Sequence, residues 1–509
     1  MIPIDGSGAA RRRLICLLFA VAAFPFSTEA RSVGARSQRV EAEPQRSQAK
    51  AQAAEAPAVE ASIEVVSLSP PRVKIHGRRE SAATSWSFRN AHAGMLGLAG
   101  RVENFTLADE NESGVPVRKL APGEYESARP ATRFAYEVRL DPPADNNNAA
   151  HVSWLAPTHG LLMTGDLLPL PHGRARLHLI LPPGWQTAAP LAAAPGTFGI
   201  EDAESAVLLV GTNVRQQRAK VRGSNLTVAL AGDWAFGDKE AVELVTQIFN
   251  EHARSFGGSP QGDDETVIIA PHPLPSNASQ WSAETRGGTV TLLTGRAPTR
   301  QSALARLAGP LTHELFHLWV PNGLNLSGDY DWFYEGFANY QALRAGLRLG
   351  HLNFGDYLDA LARTYDSYGR ESPRDDVSLV DASSRRWSGS NALVYHKGAL
   401  VAFLYDLELR RRTDGKRTLD DALRELFRRN TTSAASADGN TAVAEALEAS
   451  LGVGDFTRRY VRSVHRIDLA EELRPYGLTV ITGQGRTRIA VSESLSGSQR
   501  ALLRQIGYN

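Results

Sequence analysis

A chain of 509 residues exceeds one ordinary hydrophobic core, so two or three domains are expected. Its 56 Lys and Arg stand against 55 Asp and Glu, a net charge of +1 that gives no electrostatic case for nucleic acid or a general membrane surface. An apolar content of 42% is that of a globular protein able to bury a core.

Arg11, Arg12 and Arg13 precede an apolar run at 14–26 that ends at Ser27 and Ala30. This is the pattern of a cleavable export signal, and the run is too short to span a bilayer in the usual way. It predicts an exported protein, periplasmic or extracellular, with no stable membrane span once the signal is removed. The only cysteine, Cys16, lies inside that run, so the mature chain has neither a disulfide framework nor a catalytic thiolate. Leu14 and Ile15 before it argue against lipid attachment. Residues 31–59, rich in Ala, Gln, Glu, Arg and Ser, predict a disordered spacer.

From Ile63 to Trp185 short strand patterns alternate with Gly, Pro and Asn. Phe134, Tyr136, Val138 and Leu140 face one way, Ala135, Glu137 and Arg139 the other; Ala175, Leu177, Leu179 and Leu181 repeat the pattern. An antiparallel β domain, a sandwich, is expected over 60–235, with 145–148 as an exposed loop and further strands at 206–210 and 226–230. A helix is predicted to open near Asp238, with Ala241, Leu244, Val245, Ile248 and Phe249 on one stripe, and to end at Gly257. Residues 266–270 and 289–293 read as strands. Pro310 suits the first turn of a helix, which places a helix start near it.

Residues 313–317 read H-E-x-x-H. On a helix, positions four apart share a face, so His313 and His317 can present two imidazoles to one tetrahedral zinc ion. Glu335, 18 residues after His317, is the candidate third ligand, since the interval allows the chain to leave one helix and enter another. Glu314 stands beside the pair, where a carboxylate can act as general base toward a water. Two His and one carboxylate leave a coordination position open, unlike a structural zinc site.

HELFHLW at 313–319, WFYEGFANY at 332–340 and VYHKGALVAFLYDLELRRRTDGKRTLDDALRELFRR at 394–429 resemble the gluzincin zinc metallopeptidases, the glycyl aminopeptidase family most and aminopeptidase N more distantly. The resemblance covers roughly 237–477. It implies a multidomain α+β fold: an N-terminal antiparallel β domain, then a thermolysin-like mixed sheet with a mostly helical catalytic domain at 236–476. It implies zinc as cofactor, a peptide or protein as substrate, and aminopeptidase-like hydrolysis. Tyr395, in Y-x-K-G, falls at the position that supplies the phenol for the developing oxyanion. Asn339, one turn beyond Glu335, is placed to brace a ligand.

In such enzymes an edge strand before the motif helix lines the cleft, and 289–293 is the candidate here. It carries a glycine-rich sequence with an acid that binds the substrate's amino terminus. The corresponding place here reads Gly287, Gly288, Thr289, with the glycines kept and the acid missing; Glu284 is near. This departure leaves an endopeptidase of the same fold, or a peptide-binding pseudopeptidase, as alternatives. Residues 477–509 read as a short β tail, too small for the peptide-binding PDZ domain that the family often adds.

Overall fold

The structure, a computed structural model, describes residues 59–508 apart from 189–191, 195, 263, 371–375, 432–435, 453 and 484. The expected export signal and spacer lie outside the described residues, except for Val59. No described helix is long and apolar enough to cross a membrane.

Three sheets stack in layers, and helices cover the last. The outer layer is a nine-stranded sheet whose central strands are Val59–Leu68, Pro71–Ser87 and Glu124–Arg139. Its pairing is antiparallel except where Val59–Leu68 runs parallel to Ala175–Ile180. The middle layer has four strands, including His159–Met163 and Val207–Gly211. Because successive side chains of a strand point to opposite faces, Val207–Gly211 serves two cores at once. Leu208 and Val210 pack toward the outer sheet, while Val207 and Leu209 pack toward the third sheet. A strand covered on both faces has to be apolar throughout, and V-L-L-V is. The expected exposed loop at 145–148 departs from this reading: Asn146 is buried, its amide hydrogen bonded to the carbonyls of Leu274 and Pro275.

The third sheet orders its strands Arg215–Val221, Ser224–Leu230, Asp264–Pro271, Thr289–Thr294 and Trp281–Arg286. Strands Arg215–Val221 and Ser224–Leu230, which the sequence reading groups with the N-terminal β segment, pair within this sheet. The strand at 289–294 is not an edge: it is inserted between Asp264–Pro271, to which it is parallel, and Trp281–Arg286. The edge strand is Trp281–Arg286. The sequence reading places strands at 266–270 and 289–293 and none at 281–286, the segment that takes the edge.

Ile268 and Ala270 face the middle layer; Val267 and Ile269 face the helices. Helix Asp238–Phe256 lies against this face and stops at Gly257, whose φ of 80° favours glycine. The motif helix runs Arg300–Phe316 with Thr299 as its cap, so Pro310 lies inside rather than at its start. The missing N–H there deletes one hydrogen bond of the helix. Helices Asp331–Arg348 and Asn391–Arg412 complete the site. The C-terminal segment is more than a β tail. A hairpin, Leu478–Gly483 with Arg486–Val491, is followed by helix Gly497–Gln505, and Leu478, Ile489, Leu502 and Leu503 join the helical core. Each fully buried Leu or Ile there contributes about 1.5–3 kcal/mol.

Candidate active site

Helix Arg300–Phe316 carries His313 and Glu314 in its last turn, and His317 caps its C-terminal end. Glu335 comes from the first turns of Asp331–Arg348. The Nε2 atoms of His313 and His317 are 3.2 Å apart, and Glu335 Oε2 is 3.2 Å from the first and 3.5 Å from the second. Ligand atoms on a tetrahedral ion with bonds of about 2.0–2.1 Å lie about 3.3 Å apart. The triangle therefore fits one zinc ion with a corner left for a water or substrate. All three residues are buried, and this is the one such cluster among the described residues.

The surroundings hold each ligand in place. His317 Nδ1 lies 3.0 Å from the Val320 carbonyl, a partner that fixes the tautomer presenting Nε2 as a ligand. Burial by itself would raise the Glu335 carboxyl, but Arg386 and the two imidazoles more than reverse this and hold it well below the usual carboxylate range. Arg386 Nη2 is 2.9 Å from Glu335 Oε1.

Glu314 is buried beside the ligand triangle. The Thr285 hydroxyl, from the edge strand, lies 2.8 Å from both its carboxylate Oε2 and its main-chain oxygen. Tyr395, in the first turns of Asn391–Arg412, stacks its ring on that of His313, with centroids 6.1 Å apart and planes at 18°. Burial pushes its phenol well above the ordinary value, so it is a proton donor at neutral pH.

The structure thus gathers His313, Glu314, His317, Glu335 and Tyr395. The remaining expected residues fall elsewhere. Gly287 and Gly288 form the turn joining the edge strand to the inner one, with Gly287 at a φ of 50°. Thr289 is buried in the inner strand, Gly288 is exposed, and the Gly287 carbonyl accepts from Asn322 Nδ2 at 2.9 Å. Asn339 is half-buried and makes no side-chain hydrogen bond to a ligand residue among the described residues; Arg386 braces Glu335 instead.

The acid missing from 287–291 stands on the edge strand itself as Glu284. Its side chain points away from the motif helix, opposite to Thr285, toward the N-terminal layers. There Oε1 lies 2.7 Å from His92 Nε2, Oε2 lies 3.1 Å from His151 Nδ1, and Arg286 is 3.2 Å away. Burial opposes its charge, and Arg286, His151 and His92 override that to hold the carboxyl well below its usual range. Thr285, Arg386, His92 and His151 went unread in the sequence. Only the short alternating segment 281–286 carried a signal, as a strand.

No family model matches the sequence, and no curated protein matches it. The fold has clear likenesses. A crystal structure of an aminopeptidase N family protein from Idiomarina loihiensis superposes with a TM-score of 0.71 at 18% identity, over 83% of this chain and 79% of that one. The M1 zinc metallopeptidase from Deinococcus radiodurans gives 0.51 at 16% identity, over 81% of this chain and 94% of that one. A variant of that enzyme, bound to a Tyr-Ser-Ala substrate, gives 0.51 at 15%. The fold is therefore like that of these aminopeptidase N family and M1 zinc metallopeptidase structures, a multidomain α+β arrangement of N-terminal sheets followed by a mixed sheet and helices.

Proposed function

We propose that this protein is an exported zinc-dependent metallopeptidase of aminopeptidase-like character, acting on peptides or proteins. The observation that carries the reading is the triangle of His313, His317 and Glu335 with Glu314 and Tyr395 beside it. Those three ligands would hold zinc, whose Lewis acidity makes a water nucleophilic near neutral pH and polarises a peptide carbonyl. Glu314 takes the proton of the attacking water and delivers it to the leaving nitrogen. Thr285 holds one carboxylate oxygen, which leaves the other for that transfer. Tyr395 donates its phenolic proton in a hydrogen bond to the oxygen on which negative charge develops. An extended peptide can add to the free side of Trp281–Arg286, which lays its backbone along the groove.

The aminopeptidase-like character rests on the likeness in fold to the aminopeptidase N family protein and not on Glu284, whose carboxylate faces the N-terminal layers. The tripeptide bound by the Deinococcus enzyme variant is in keeping with this. An endopeptidase is the second reading, favoured by one observation: Glu284 is already engaged by two imidazoles and a guanidinium. Export rests on the Arg-rich and apolar start of the chain alone.

The test is a purified protein assayed for zinc and for cleavage of quenched fluorescent peptides with free or acetylated amino termini. About one zinc per chain and cleavage lost on chelation are expected. Glu314→Ala should keep the metal and lose at least about 10³-fold in kcat. Activity that survives complete metal removal would overturn the reading. A zinc-loaded protein that cuts nothing would instead be a peptide-binding pseudopeptidase. Equal cleavage of the acetylated peptide would select the endopeptidase.

A further inference from the structure

Arg386 lies in none of the three sequence motifs. It sits in the turn after helix Leu379–Ser384, nine residues before Tyr395. Its guanidinium meets four oxygens: Glu335 Oε1 at 2.9 Å, Asp331 Oδ1 at 2.8 Å, Asn391 Oδ1 at 3.2 Å and the Tyr395 hydroxyl at 2.9 Å. The side chain is only 12% exposed, and the Trp387 ring covers it with its centroid 4.6 Å from Cζ.

We propose that Arg386 is a positioning residue that sets Tyr395 as a hydrogen-bond donor to the substrate oxygen and fixes it relative to the metal ligand Glu335. The proposal rests on the peptidase reading above. A guanidinium has donors and no acceptor, so the phenol oxygen accepts from Nη2. The single phenolic proton must then point elsewhere.

Nη2 reaches both the Glu335 carboxylate and the phenol, so one planar group ties together two side chains that belong to different helices. Glu335 uses its other oxygen, Oε2, in the ligand triangle. Metal corner and oxyanion donor are thereby held in one geometry, which neither helix alone would secure. Lysine cannot reproduce this, because an ammonium lacks the rigid fork.

The test combines Arg386→Lys with Tyr395→Phe in a double-mutant cycle, with the quenched peptide as substrate and zinc content measured for every variant. In the chain that keeps Tyr395, Arg386→Lys should lower kcat about 10²-fold with KM little changed and zinc retained. In Tyr395→Phe the same change should cost no more than about threefold, because the group it acts through is gone. Asn391→Ala loosens the far end of the guanidinium without removing its charge. It should show the same dependence on Tyr395 with a smaller fall, and it carries the test where Arg386→Lys fails to fold. Equal losses in both backgrounds would overturn the proposal, as would a loss of activity explained wholly by lost zinc, or an unchanged kcat. A wild-type protein with no zinc-dependent cleavage would count against the peptidase reading and the proposal with it.

Discussion

Thr285 shows how much of the chemistry depends on a residue that does not itself react. Its hydroxyl lies 2.8 Å from the Glu314 carboxylate and orients it. A hydrogen bond to a charged group contributes about 1.5–3 kcal/mol, and Thr285→Val keeps the side-chain shape while deleting it. Steady-state kinetics on that variant should show kcat lower by roughly 10–100-fold, with KM and zinc content close to wild type. A fall in zinc content of similar size would mean instead that the edge strand supports the metal ligands. His252 acts on stability. It is fully buried beneath the motif helix, with Nε2 2.8 Å from the Thr312 carbonyl, and burial lowers its imidazole from 6.5 to about 4. A histidine kept neutral in the fold takes up its proton in the unfolded chain first. Below pH 6.5 the unfolded state therefore gains protons that the folded state refuses. Stability falls between about pH 6.5 and pH 4 and then levels, by roughly 2–4 kcal/mol for this group. His252→Gln keeps a donor for Thr312 and removes the titration. Urea midpoints measured at pH 7.5, 6 and 5 should fall less steeply for that variant than for wild type.

At the level of elements, the site exists because two helices cross at close range. Gly336, next to Glu335, meets Gly398, three residues after Tyr395. A methyl built on Gly336 would come within 2.5 Å of the Gly398 backbone, and one on Gly398 within 2.5 Å of the Trp332 carbonyl. These contacts involve main chain, which cannot swing aside as a side chain can. The glycine of Y-x-K-G thus has a physical reason here: it lets the helix that carries Tyr395 approach the helix that carries Glu335. Beyond the crossing, the same pair is locked by buried charges. Arg344 is 3.4 Å from Asp406 and 3.0 Å from Asp420, and Asp406 also accepts from Tyr340 and from the Leu419 amide. Alanine is about 1 kcal/mol better than glycine inside a helix, and the overlap works against it. Overpacking of this kind costs about 1–3 kcal/mol, so the two effects oppose and the clash wins only if the helices separate little. For Gly398→Ala the expected outcome is a lower thermal midpoint together with lower kcat, as Tyr395 moves away from the ligand triangle. A more stable variant with full activity would show that the close crossing is not required.

Across the whole molecule, what the sequence disclosed and what it hid divide by range. The i, i+4 histidines and the helical stripe of 241–249 are local, fixed by helix geometry, and could be read directly. The identity of the edge strand could not, because strand order is set by which neighbours cover the fully buried segment at 289–294. Nor could the partners of Glu284: His92 is 192 positions away in the chain and His151 is 133 away. They meet because the N-terminal layers lie directly on the third sheet. That contact is itself part of the fold. Ala229, Ala231, Ile268, Ala270 and Leu293 share a core with Trp154, Leu161, Met163, Val207 and Leu209. Buried charges cross the same boundary, with Arg286 Nη2 2.6 Å from the His151 carbonyl and Nη1 3.9 Å from the buried Asp166. A chain starting at Thr212 would expose an apolar face and leave Arg286 and Glu284 without their partners, a combination costlier than a surface cut. Such a fragment should be insoluble or unfolded. The intact chain should lose near-ultraviolet circular dichroism and peptidase activity in a single transition at one denaturant concentration. A soluble fragment 212–508 that binds zinc and cleaves peptides would mean that the N-terminal layers only decorate the catalytic part, and that the pairing of Glu284 with His92 and His151 is dispensable.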